Sequence, residues 1–105
     1  MLDETRFHPL ADAFLSALFE QIEAADQGGV IDAEYQGGIL TLELENGKTL
    51  VVSKHAPSLQ IWLSSPISGG LHFRHENGDW KLPDGRELKT MLAAELKQLS
   101  GVEIA

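Results

Sequence analysis

Three dipeptides, Gly37-Gly38, Asn46-Gly47 and Asn77-Gly78, punctuate the middle of this chain and constrain its fold more than any other feature. A two-residue connection of this kind suits the primed turns whose twist matches two antiparallel strands. A parallel pair needs a crossover of about a dozen residues or more, and no such spacer separates these segments. The residues between the turns alternate apolar and polar, so strands are expected at Val30 to Gln36, Ile39 to Glu45, Lys48 to Lys54, Leu59 to Ser64, Leu71 to His75 and Asp79 to Leu82. Ser65 to Gly70 reads as a loop, and Pro83-Asp84-Gly85 closes the run.

On either side of these strands the period changes. Phe7, Leu10, Ala11, Phe14, Leu15, Leu18, Ile22 and Ala25 recur at spacings of three and four, which predicts a helix from about Glu4 to Ala25 with Asp3 as N-cap and Gly28-Gly29 as its end. Pro9 sits in the early helix, where it is best tolerated if regular helix begins only a residue or two before it. Leu88, Met91, Leu92, Leu96 and Leu99 predict a second helix from Arg86 or Glu87 to Leu99, stopped at Ser100-Gly101. Helix, antiparallel strands, helix is an α+β arrangement in which both helices cover one sheet face and leave the other open. Leu40, Leu42, Leu44, Leu50, Val52, Leu59, Ile61, Leu63, Leu71 and Phe73 then face the helices. Trp62 falls on the open face between Gln60 and Ser64, the composition of a protein-binding hot spot. The plainer reading is that a C-terminal tail or a long side chain covers it.

Composition allows one domain and no covalent staples. The 105 residues suffice for a single core, so 1–105 is read as one domain. With no cysteine there is no disulfide or thiolate nucleophile, and a bound metal must take oxygen or imidazole ligands. No apolar run approaches the roughly 20 residues of a membrane span, and acids open the chain where a targeting segment would carry bases, so no membrane association is expected and the expected compartment is the cytoplasm.

The formal net charge of −8 argues against nucleic acid and for cationic partners, either metal ions or a basic protein surface. The excess is confined to the first half, where residues 1–45 hold ten acids and the single base Arg6. On the first helix Asp12, Ser16, Glu20, Glu23 and Asp26 fall within an arc of about 120°, and Glu4 and His8 extend that side. Asp32 and Glu34 share one phase of the first strand, so if that strand is the sheet edge beside the helix the acids join into one ridge. Like charges gathered this way destabilise unless a cation offsets them. Carboxylates without thiolates are hard ligands suited to iron, manganese, magnesium or calcium, and His8 shifts the preference toward iron. The alternative is an ordinary solvated helix face. Catalytic signals are scarce, since the glycine pairs lack the strand-to-helix context of a phosphate loop and His8, His55, His72 and His75 match no metalloprotease spacing. Nothing marks a nucleophile elbow, and an enzyme is the weaker class.

The stretch Gln60-Ile61-Trp62-Leu63-Ser64-Ser65-Pro66, followed by Ser68-Gly69 and Leu71-His72-Phe73, resembles the bacterial members of the frataxin family. Phe7-His8, Leu10-Ala11-Asp12, Asp32 before Gly37-Gly38, Asn46-Gly47, Pro57 and Leu92-Ala93-Ala94-Glu95-Leu96 extend the likeness over nearly the whole chain. The resemblance implies two helices on one face of a five- to seven-stranded antiparallel sheet. It implies a non-enzymatic, monomeric accessory protein of iron–sulfur cluster assembly that binds ferrous or ferric iron weakly. Such a protein docks to the cysteine desulfurase and the scaffold protein as regulator and candidate iron donor. By position the metal ridge is Glu20, Glu23, Asp26, Asp32 and Glu34, with Asp3, Glu4 and His8 as outliers, and the partner surface is Trp62, Gln60 and Ser64 together with Glu20 and Glu23. Ala24, Gly28 and Val30 stand where better-known bacterial members carry further aspartates, so the ridge is thinner here. A ferroxidase-like or iron-storage protein is the alternative, ranked lower because the paired-carboxylate centre drawn from several helices is missing.

Overall fold

A computed structural model describes residues 2–104. The chain runs α1 (Glu4–Ala25), β1 (Ile31–Gln36), β2 (Ile39–Leu44), β3 (Thr49–His55), a 3-10 turn (Ala56–Ser58), β4 (Gln60–Ser65), β5 (Gly69–Glu76), β6 (Asp79–Lys81) and α2 (Leu88–Ser100). The six strands form one antiparallel sheet in sequence order, with β1 and β6 as its edges. Sequence order follows from the short turns, because each strand can pair only with the neighbour that a tight connection delivers to it. The segment read as a loop after Ser64 is a three-residue turn instead, since Ser65 already pairs with Gly69.

The two-residue period sorts the sheet as expected. Leu40, Leu42, Leu44, Leu50, Val52, Ile61, Leu63 and Phe73 are buried beneath Phe7, Ala11, Leu15, Leu18 and Ile22 of α1 and Leu88, Leu92 and Leu96 of α2. Leu59 and Leu71 are only partly buried; Leu59 lies outside β4 in left-handed backbone with φ 56°. β6 adds Trp80 to the core, edge-on to Phe7 at 5.8 Å and to His75 at 5.1 Å. Leu10, assigned to the apolar stripe by spacing, is 40% exposed because α1 presents a narrower face to the sheet than the sequence pattern allows.

Three local details depart from simple propensity. Helix α1 begins five residues before Pro9 rather than one or two. Its first turn is held by the Asp3 carboxylate, which accepts from the Arg6 amide at 3.0 Å, and by Phe7, which is fully buried. At the other end of α1 the C-cap is Asp26, ahead of the glycine pair, and its two carboxylate oxygens accept the amides of Val30 and Ile31 at 3.0 and 2.8 Å. That clamp sets where β1 begins. On α2, Glu95 is buried on the core side, where it accepts from the hydroxyl of Ser65, and that same hydroxyl oxygen accepts from the Ile67 amide at 3.0 Å. The helix is thereby tied to the turn between β4 and β5.

Replacing Asp26 with Ala leaves two half-buried amides without their acceptor. The substitution is expected to lower the unfolding free energy by about 1 to 3 kcal/mol, measured as a lower urea midpoint at unchanged slope. Asp26→Asn, which keeps one acceptor oxygen, should lose less.

Candidate functional site

Two surfaces carry the sequence-predicted residues, one around the β1 edge of the sheet and one at the centre of its open face. On the helix side of the β1 edge, α1 exposes Glu20 and Glu23 to solvent. Strand β1 turns Ile31, Ala33 and Tyr35 toward the core and exposes Asp32 and Glu34 on the opposite face. The ridge therefore wraps around the edge of the sheet rather than lying on one face. Asp26 stands between its two halves with both oxygens engaged by backbone amides, so it joins the ridge structurally more than it lies open on it. None of the three ion pairs among the described residues involves Glu20, Glu23, Asp32 or Glu34.

The β1–β2 register adds one more acid to this surface. Glu43 is the direct cross-strand partner of Asp32, and like charges in that relation repel. The signal was present in the Gly37-Gly38 turn, because a two-residue hairpin fixes which residues face each other. Asp3 and Glu4 are exposed at the positive end of the α1 dipole, where carboxylates stabilise the helix in their own right.

His8 is half-buried and not solvent-directed like the ridge acids. The Lys54 ammonium stands 3.1 Å from its Nδ1 and 2.7 Å from Oδ1 of Asp12, so the acidic helix is pinned to β3 through a cation of the chain's own. The Tyr35 hydroxyl donates weakly to the same Asp12 oxygen at 3.5 Å. Burial, and after it the adjacent Asp12 carboxylate, push the Tyr35 hydroxyl above the ordinary tyrosine value of 10.0. Among the described residues no three His, Asp or Glu side chains converge as a closed metal site.

On the open face Trp62 is half-buried, and its cover is neither the tail nor a long side chain. His55 stacks on the indole at 3.9 Å and His72 at 4.2 Å, each within 15° of parallel, so the ring lies in a three-layer stack across β3, β4 and β5. Its Nε1 donates to Oε1 of Gln60 at 3.0 Å, and Ser64 is exposed two residues further along β4. The tail residues Val102 and Ile104 pack against the core instead, with Ile104 bordering Ala93 and Ala94 of α2. A partner reaching Trp62 would meet its edge and two imidazoles.

Residues 1–102 match the frataxin-like domain family. The chain belongs to the frataxin family. It is 40% identical over 97 residues to the iron-sulfur cluster assembly protein CyaY of Vibrio cholerae, covering 90% of this chain and 88% of that one. It is 36% identical to a mitochondrial frataxin-like protein of Leishmania donovani over 93% of its own length, and spans 57% of that longer relative. The fold of this frataxin superposes on the frataxin of Psychromonas ingrahamii with a TM-score of 0.87 at 31% identity, covering 98% of this chain and 96% of that one. It superposes on a trimeric frataxin of the yeast Saccharomyces cerevisiae, complexed with ferrous iron, with a TM-score of 0.76 at 34% identity and 85% and 83% coverage.

The single tyrosine makes its titration directly readable. A hydroxyl whose folded value is raised contributes stability that is present below the unfolded value and lost as pH rises through the folded one. Unfolding free energy should therefore fall above about pH 10. Asp12→Asn should move the tyrosinate absorbance midpoint of this frataxin part of the way back, since burial of the ring remains.

Proposed function

We propose that this chain is an iron-binding accessory protein of iron–sulfur cluster assembly that works without catalytic chemistry of its own. It docks to the cysteine desulfurase and scaffold complex as regulator and candidate iron donor. The observation that carries this reading is the set of exposed carboxylates Glu20, Glu23, Asp32 and Glu34 wrapped around the β1 edge, in no ion pair among the described residues, with Glu43 opposite Asp32. The naming of the Vibrio relative for cluster assembly and the ferrous complex of the yeast relative support it.

Carboxylates held on a helix and a strand need little rearrangement to meet a hard cation. They enclose it on one side only, so water keeps most of its coordination sites. Affinity for ferrous or ferric iron is accordingly expected to be micromolar or weaker, about −8 kcal/mol at best. The same surface would speed encounter with an arginine-rich patch of the desulfurase. The ferroxidase-like or storage reading stays second, because it calls for several carboxylates and a histidine converging on paired metals.

The stack on the open face fits a second contact. Trp62, Gln60 and Ser64 form an apolar and hydrogen-bonding patch away from the ridge, which suits docking of the scaffold protein. The acting unit in this reading is the monomer.

Anaerobic ferrous titration followed by NMR should perturb Glu20, Glu23, Asp32 and Glu34 before any open-face histidine. Glu20→Lys with Glu23→Lys should abolish desulfurase capture, and the wild-type complex should weaken steeply with added salt. Trp62→Ala should cost about 2 kcal/mol in scaffold binding while leaving desulfurase binding largely intact. Equal losses toward both partners with one salt dependence would replace the two-surface arrangement by a single footprint.

A further inference from the structure

Between the first helix and the sheet there is already a bound cation, and it belongs to the chain. The ammonium of Lys54 sits 2.7 Å from Oδ1 of Asp12 and 3.1 Å from Nδ1 of His8. An ammonium has only protons to give, so Nδ1 must present its lone pair to the seat, which places the other ring proton on Nε2. The lone pair offered to Lys54 is the one a metal ion would need. His8 and Asp12 are four residues apart on α1 and so project from one face of the helix. The oxygen of Tyr35 lies 3.5 Å from the same Asp12 atom and brings a third polar atom to the edge of the seat.

The fold also reserves a path for the lysine. Gly38, buried at the β1–β2 turn with φ 79°, carries the Lys54 stem directly on its backbone: a Cβ there would fall 2.6 Å from Cε, 2.8 Å from Cγ and 3.0 Å from Cδ. The Gly38 carbonyl accepts the Lys54 amide at 3.0 Å, which fixes the root of the side chain beside that path. The Lys54 side chain is 20% exposed and that of Asp12 48%, so the seat opens to solvent on the carboxylate side.

We propose that Lys54 is a tethered plug at the histidine end of the ridge: it keeps the His8–Asp12 seat filled in the resting protein, and ferrous, manganous or cobaltous ions enter that seat only when the lysine is displaced. The seat joins an imidazole nitrogen to a carboxylate oxygen, a donor pair that prefers such ions to calcium or magnesium. A tethered ammonium acts at an effective concentration in the millimolar range or above, so a weakly bound free ion loses the competition until the lysine is displaced. Metal loading of the ridge then proceeds first at the open carboxylates and reaches the histidine end only when Lys54 swings out. This inference rests on the reading of the ridge as a cation-binding surface, to which it adds the group that regulates the histidine end.

The test is calorimetry with cobalt(II) and NMR line broadening with manganese(II) on the full chain. Lys54→Met, close in shape but uncharged, should bind cobalt at least about tenfold more tightly than wild type and show new broadening at His8 and Asp12. Adding His8→Ala or Asp12→Asn to that variant should remove the gain. Lys89→Met controls for simple loss of positive charge, because Lys89 borders Phe14, Ala17 and Gln21 of α1 without touching the seat; it should give neither the tenfold gain nor the new broadening. Lys54→Gln serves the same purpose if the methionine variant folds poorly, folding being judged from spectral dispersion. Unchanged affinity and unchanged broadened residues in the Lys54 variants would overturn the guarded seat. So would a gain that survives loss of His8 and Asp12. In either event, broadening of Glu20 and Glu34 in wild type would leave the ridge itself standing, and absence of all metal response in every variant would overturn both.

Discussion

The contact between two amphipathic helices and one face of the antiparallel sheet governs the rest of this molecule, because it divides every strand into a dry side and a wet side. Leu40, Leu42, Leu50, Val52, Ile61, Leu63 and Phe73 meet Phe7, Leu15, Ile22, Leu88, Leu92 and Leu96 across that contact with essentially no exposure. Slipping any strand by one residue would exchange the two sets, so burial of the apolar set fixes register for the polar one as well. The positions of Asp32, Glu34, Glu43 and the imidazole–indole–imidazole stack are consequences of core packing on the reverse side.

That division gives the wet surfaces different chemistry. The β1 edge is dense in exposed carboxylates, while the centre of the open face is aromatic and hydrogen-bonded. Charged groups on the edge act over the screening distance of the solvent and favour encounter; the flat stack at the centre acts only on contact. A small domain without cysteine can in this way offer two kinds of recognition from one sheet. Lys54 joins the two layers, rooted in β3, laid over Gly38 and ending at α1, so the charge on the helix and the geometry of the first hairpin are coupled.

Much of this was legible in the residues. The turn dipeptides and the helical period gave the element order to within about two residues at most boundaries, and the phases of β2 to β5 gave the buried set. The site was legible in outline only. Spacing placed Glu20 and Glu23 on an exposed helix face and Asp32 and Glu34 on one strand phase, but the first pair and the second pair lie on opposite sides of the sheet edge. Glu43 needed the hairpin register before it became a neighbour of Asp32. Glu95 could not be recognised as buried, because a carboxylate on α2 is accepted in the core only through its partner Ser65, thirty residues away on β4.

By itself, the sequence determined the periods, the turns and the sign of charge, all of which depend on residues within a few positions of one another and on local backbone geometry. Tertiary structure alone decided which charges meet. Lys54 reaches His8 and Asp12 across more than forty residues of chain, and His55 and His72 enclose Trp62 only because three strands align in register. Such pairings arise from side chains brought within a few ångströms by the shared core, and no local pattern encodes them.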